Sequence, residues 1–378
     1  MKNLKIVFIL ALLQVPSVGF CQNQESWLGK LFNSKANSVD RVATKIAELP
    51  EEFDIPVSSL DFSPDEKYLA VRSSNRKINI WDWQKKRVAQ KLEIVKGAND
   101  GLTTEKLKYS PDGKWLVACH DKGDGGVVAR VWQTDTWAIA HDIIDPNPGT
   151  GCNAVAFTPD GKSLIRILER ITDLDLDTFV VYSTETWLPV WGMPTSIYRT
   201  HTLDTSPDGR FAAMGGEVRN IRSWPYKTPV PQFGNPPIPD TRLIAIVDLE
   251  SKKIVRTFQS NAVMNRWSKL RWSPDGKIIV NAGNAGLQVF DAQSGQVLVN
   301  IDPSIDGVNA SLQFSPNGKY LIEGVGRSRR NGWGKIWDGQ HSKLLQEISD
   351  NVTSIAISKD SKYLATGSNQ KTIIWKLQ

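Results

Sequence analysis

The chain has 378 residues, 40% of them hydrophobic and 23% charged, with 14 tryptophans. This composition excludes a disordered polymer and leaves ample material for a core. The formal charge of +6 includes Lys2 and Lys5 and contains no long Lys/Arg run, so it reads as solubility rather than a nucleic-acid footprint.

Residues 1–21 read as a signal peptide. Lys2 and Lys5 precede an apolar run, residues 6–13 (IVFILALL), and Pro16 breaks it ahead of small residues. A bilayer span needs about 20 apolar residues, so no transmembrane span is expected in the mature chain. Phe20 is bulky for the position before a lipidated cysteine, so no lipid anchor is expected at Cys21. Residues 22–40 form an N-terminal extension, and the expected location is the periplasm or the cell exterior.

From residue 41 onward one turn recurs seven times. The segments are FSPDEKYL from Phe62, YSPDGKWL from Tyr109, FTPDGKSL from Phe157, TSPDGRFA from Thr205, WSPDGKII from Trp272, FSPNGKYL from Phe314 and ISKDSKYL from Ile357. Their hydroxyl residues are spaced by 47, 48, 48, 67, 42 and 43 residues. A period of about 40 to 45 residues is that of a propeller blade. The residue types suit a tight hairpin. Ser or Thr bonds its own backbone, Pro presets φ, Asp or Asn favours the third position, and Gly supplies a left-handed φ. Glu66 and Ser361 stand where Gly is preferred, so those two turns are expected to be strained or differently shaped.

Each turn is followed by an apolar pair ending in a large residue: Trp81, Trp132, Tyr182, Val247, Phe290, Trp337 and Trp375. A polar turn and a further apolar strand come after the first six. Seven such units, with Trp81–Asp82 and Trp337–Asp338 as their marks, resemble the WD-repeat family over about residues 42 to 378. The Gly-His pair usual in that family before the innermost strand is absent from every unit. The resemblance implies an all-β fold: a seven-bladed β-propeller of four-stranded antiparallel blades over residues 41–378. The seventh unit stops after its Trp-type strand, and residues 41–49 (RVATKIAEL) precede the first unit as outer strands precede the others. That N-terminal strand is therefore expected to complete the last blade and close the ring.

Function in such a scaffold sits in its loops and central channel. The turn-to-Trp distance is 41 residues in blade 4 against 17 to 24 elsewhere, which marks an insertion over residues 217–240. Six prolines stiffen it, and Trp224, Tyr226 and Phe233 supply contact area. Arg266 and Trp267 lead into blade 5, and Arg327, Arg329, Arg330 and Trp333 follow in blade 6. These loops are expected on one face, and Arg with Trp is a common interface pairing. Each element also has a plainer reading, as a loop covering its own blade or a solvated tip.

Asp173, Asp175 and Asp177 alternate, but Thr178 and Thr184 occupy the places where a calcium loop needs Gly and Glu, so no metal site is assigned. His120, His141, His201 and His341 lie in no metal-ligand spacing, and nucleophile-elbow, phosphate-loop and dinucleotide patterns are missing. No catalytic residue and no cofactor is assigned. Cys119 and Cys152 approach one face in adjacent blades, either as a disulfide or as two buried thiols. The expected function is an exported, non-catalytic scaffold that binds a protein partner through one propeller face. The alternative is a propeller enzyme or small-ligand binder with its site at the channel mouth.

Overall fold

The second and third strands of the first repeat read as largely apolar runs, and its fourth strand alternates. Tyr68–Ser73 and Lys77–Asp82 are buried along almost their whole length, whereas Arg87–Glu93 alternates between exposed and covered positions. A sheet packed on both faces near its centre and wetted at its rim demands that pattern. The computed structural model describes residues 41–378 apart from 51–55, 74–75, 97–105, 121–122, 146–149, 171–177, 196, 219–240, 261–267, 284–285, 302–307, 327–332, 340–342, 349–351 and 369–370. Residues 1–21, read as a signal peptide, the extension 22–40 and the acidic run 171–177 lie outside the described residues.

Seven four-stranded antiparallel sheets form the molecule. Blade 1 is Val57–Phe62, Tyr68–Ser73, Lys77–Asp82 and Arg87–Glu93. The inner strands of blades 2 to 6 are Leu107–Tyr109, Thr150–Phe157, Tyr198–Thr205, Lys269–Trp272 and Val308–Phe314. Blade 7 is Ser354–Ile357, Tyr363–Gly367 and Thr372–Leu377, with Ala43–Leu49 as its outer strand. Ala43 lies opposite Leu377 and Leu49 opposite Thr372, with a bulge at Ile46. The N-terminal strand thus closes the ring, and inner strand Ser354–Ile357 touches inner strand Val57–Phe62. Gln346 of blade 6 pins this strand from the side: its Oε1 accepts from Ala43 N–H at 2.9 Å and its Nε2 donates to Ala43 O at 3.0 Å.

The core lies between blades. Leu60, Phe62 and Val71 of blade 1 pack on Ala356, Ala365 and Ile374 of blade 7. Tyr320, Ile322 and Ile336 of blade 6 pack on Ile355, Ile357 and Leu364 of blade 7. Each Leu, Ile, Val or Phe among them, fully buried, contributes about 1.5 to 3 kcal/mol, so the seams hold the ring together.

The seven turns share one hydrogen-bond pattern. Glu66 N–H donates to Ser63 O at 2.8 Å, Ser63 Oγ donates to Asp65 Oδ1 at 2.5 Å, and Tyr68 N–H donates to Ser63 Oγ at 2.9 Å. The hydroxyl-to-Asp/Asn bond recurs at Ser110, Thr158, Ser206, Ser273, Ser315 and Ser358. The turns without glycine are not differently shaped. Glu66 and Ser361 adopt φ of 62° and 64°, beside 72° at Gly276 and Gly318. Their left-handed backbone is strained for a residue with a Cβ, and each side chain gains a bond to the preceding blade. Glu66 Oε1 accepts from Asp360 N–H, and Ser361 Oγ accepts from Asn317 N–H at 3.0 Å.

Candidate functional site

Strand direction sets two faces. The Ser-Pro-Asp-Gly turns all lie on one. The ends of second strands, the starts of third strands and the blade-to-blade connections lie on the other, here the loop face. The described strand ends Val218, Thr241, Gln259, Lys269, Gly326 and Trp333 stand on the loop face of blades 4, 5 and 6. Blade 4's second and third strands pair further out than the sequence indicated. Glu217 pairs with Arg242 and Val218 with Thr241, so two residues of the expected insertion are strand. Trp224, Tyr226, Phe233, Arg266, Trp267, Arg327, Arg329 and Arg330 lie outside the described residues.

Trp333 opens the third strand of blade 6, opposite Val325. Lys335, two residues on, holds its ammonium 5.4 Å from the Trp333 ring centre and 5.6 Å from that of Trp337. Behind them Glu323 is completely buried; among the described residues Trp337 Nε1 donates to its Oε2 at 3.4 Å and none bonds its Oε1. Burial pushes the Glu323 carboxyl up to about 7, against the pull of Lys335 and the Trp337 indole. A buried acid and a lysine thus stand behind the Trp333 indole at the loop face of blade 6, with Trp337 nearer the turn face.

Position by position, the interior groups facing the third-strand aromatics differ among blades. Trp375 Nε1 donates to Thr366 Oγ1 at 2.8 Å in blade 7. In blade 3 the matching residue is Arg166, whose Nη2 donates to Tyr182 Oη at 2.8 Å and lies 3.9 Å from Asp145. Burial lowers the Arg166 pKa, against the pull of Tyr182 and Asp145. These side chains had no local sequence signal, because each sits among ordinary apolar strand residues.

Cys119 and Cys152 are joined by a disulfide, with a Cα–Cα distance of 5.6 Å. Cys119 ends the second strand of blade 2, as expected. Cys152 lies within the inner strand of blade 3 rather than before it, opposite Leu168 and beside a bulge. Both cysteines are fully buried. Arg72 of blade 1, itself buried, donates from Nη1 to Cys119 O at 2.7 Å, so three blades meet here.

The central channel contains a cavity of about 330 Å³. Asp61, Lys108, Asp204, Arg271 and Gln313 line it, each two residues before its repeat's turn hydroxyl, together with His201 of blade 4. Desolvation pushes the Asp204 carboxyl above its usual range, while Arg271, the Trp272 N–H and Lys108 pull the other way. Sequence reading missed this set. Aligning the seven repeats on the turn would have found it, since one column holds Asp, Lys, Ala, Asp, Arg, Gln and Ala. Among the described residues no group of His, Cys, Asp and Glu could hold a metal ion, and no helix is long and apolar enough to cross a membrane.

Comparison with known proteins agrees with this architecture. The family model described as WD domain, G-beta repeat matches residues 45–82 and 342–376, the two stretches that meet where the ring closes. The chain is 24% identical over 127 residues to an uncharacterized WD repeat-containing protein of Synechocystis sp., covering 33% of this chain and 35% of that protein. It is 20% identical over 306 residues to Protein HIR1 of Candida albicans, covering 70% of this chain and 31% of that one. It is 25% identical over 115 residues to WD repeat and HMG-box DNA-binding protein 1 of Mus musculus, covering 29% and 10%. The match spans about a third or less of the length of each of these relatives. Seven repeats of one turn, seven four-stranded blades and a matching repeat model at both ends of the ring place the chain in the WD-repeat family.

Proposed function

We propose that this protein is an exported scaffold that binds a protein partner through its loop face at blades 4, 5 and 6. WD-repeat propellers typically serve as protein-interaction scaffolds, and one observation supports this face in particular. The strand ends that flank the aromatic insertion and both Arg/Trp loops all stand on it, in three consecutive blades. Aromatic residues and arginines in these segments fit the composition of interface centres. Replacing Arg327, Arg329 and Arg330 together by Ala is the direct test. Loss of a retained partner, with an unchanged melting temperature, supports the reading, and retention of the same partner contradicts it.

Export rests on the apolar leader and is supported by the buried disulfide, since such bonds persist in oxidising compartments. Mass spectrometry of the protein from its native envelope checks it. A mature N-terminus near residue 22 is expected, and an intact Met1 contradicts export by cleavage.

A second reading, small-ligand binding in the channel, is favoured by the charged residues that four blades bring to one cavity.

A further inference from the structure

The inner strand of every blade presents its free edge to the channel. Thr158 N–H donates to Ser163 O, so the residue before it, Phe157, turns its own N–H away from the second strand and towards the channel. The same holds for Tyr109 in blade 2 and Trp272 in blade 5, one residue before Ser110 and Ser273. These outward donors need acceptors, because an unpaired buried N–H is costly.

At two seams the protein provides a carboxylate. Asp61 of blade 1 accepts from Tyr109 N–H through Oδ2 at 2.7 Å. Asp204 of blade 4 accepts from Trp272 N–H through Oδ2 at 2.8 Å, and Thr202 accepts from Leu270 N–H at 2.8 Å. At the seam between blades 2 and 3 the residue matching Asp61 is Lys108, which cannot accept, and the donor it faces is Phe157 N–H. At the next seam the matching residue is Ala156, which leaves room. The 330 Å³ cavity lies here, lined by Lys108, Ala154, Ala156, Phe157 and Leu203. Lys108 forms no salt bridge among the described residues, and its charge reaches Asp204 across the cavity.

We propose that the channel binds a small carboxylate-bearing ligand, its carboxylate seated on the Phe157 N–H and the Lys108 ammonium. The ligand takes the place that Asp61 and Asp204 hold at their two seams. A charge-assisted bond to an N–H with a cation beside it is a strong carboxylate contact. The cavity is near the lower end of small-molecule pockets, roughly 300 Å³, so the ligand is a small acid or one acidic side chain of a peptide. This site lies in the channel and does not depend on the loop-face reading.

Calorimetric titration of the mature protein tests it, with succinate, an amidated tetrapeptide containing one Asp, and inorganic phosphate as probes. Lys108→Met removes the cation. Lys108→Asp places the chain's own carboxylate where Asp61 stands at its seam, and should fold with an unchanged melting temperature. The expected result is binding of succinate or the peptide, at least tenfold weaker with Lys108→Met and undetectable with Lys108→Asp. Binding of succinate alone identifies a free acid as the source, and binding of the peptide alone identifies a side chain. The proposal is overturned if neither acid binds the unaltered protein, if Lys108→Asp binds as well as it does, or if phosphate binds more tightly than both.

Discussion

The Glu66 carboxylate accepts a hydrogen bond from the backbone N–H of Asp360, 294 residues away in sequence, at 2.5 Å. It joins the turn of the first blade to the turn of the last, on the face opposite the loops. Glu66 therefore holds a backbone conformation that suits Gly, with φ of 62°, while its side chain closes the ring. Replacing it separates the two effects. Glu66→Ala keeps the strained φ and loses the bond, so it should destabilise by about 1 kcal/mol. Glu66→Gly loses the bond but relieves the φ, so it should cost less. Urea unfolding of the three proteins orders them, and Glu66→Ala at least as stable as Glu66→Gly would count against this account.

Ring closure also depends on Gln346, whose amide bonds both to Ala43 N and to Ala43 O. Truncation to Ala leaves two backbone groups of the closing strand to find other partners. A loss of about 1 to 2 kcal/mol is expected. Hydrogen exchange should locate the effect, with faster exchange in Ala43–Leu49 and Thr372–Leu377 and little change in blades 2 to 5.

Glu323 makes stability depend on pH. Its carboxyl stands at about 7 in the folded chain against 4.5 for an ordinary glutamate. A raised carboxyl pKa means that the folded state favours the neutral form. The contribution is fully present below about pH 4.5 and is lost as pH rises through 7. The shift corresponds to on the order of 3 kcal/mol. Glu323→Gln should match the unaltered protein in melting temperature at pH 4.5 and exceed it at pH 8. Equal melting temperatures at both values would show that Glu323 is not buried unpaired.

The disulfide closes a separation of 33 residues between blades 2 and 3. Loop-closure entropy predicts a loss of roughly 3 to 4 kcal/mol on removing it. Cys119→Ala with Cys152→Ala should show that loss in denaturant, and a reductant should leave the double variant unaffected while lowering the stability of the unaltered protein.

The ring was legible in the sequence because its turns are local. Ser, Pro, Asp and Gly within four residues dictate a hairpin wherever they occur, and their period exposes the blade. The closing strand was legible too, since the seventh unit lacks a fourth strand and residues 41–49 supply one. The strain expected at the two turns without Gly is there, but the bonds from Glu66 and Ser361 to the preceding blade are ones that no local pattern reveals. Whether Cys119 and Cys152 bond stayed open because spacing alone does not set the distance between adjacent blades. The channel residues were hidden for a similar reason. Asp61 and Lys108 are unremarkable within their own strands, and become a set only when seven strands stand around one axis.

The central claim, that the loop face of blades 4 to 6 holds a protein partner, is tested most directly by co-purification from an envelope extract. The baits are the mature protein and a variant whose residues 219–239 are replaced by a short Gly-Ser linker, both checked for equal melting temperature. The account predicts a partner that the intact protein retains and the variant loses. The same partner held equally by both baits would contradict it.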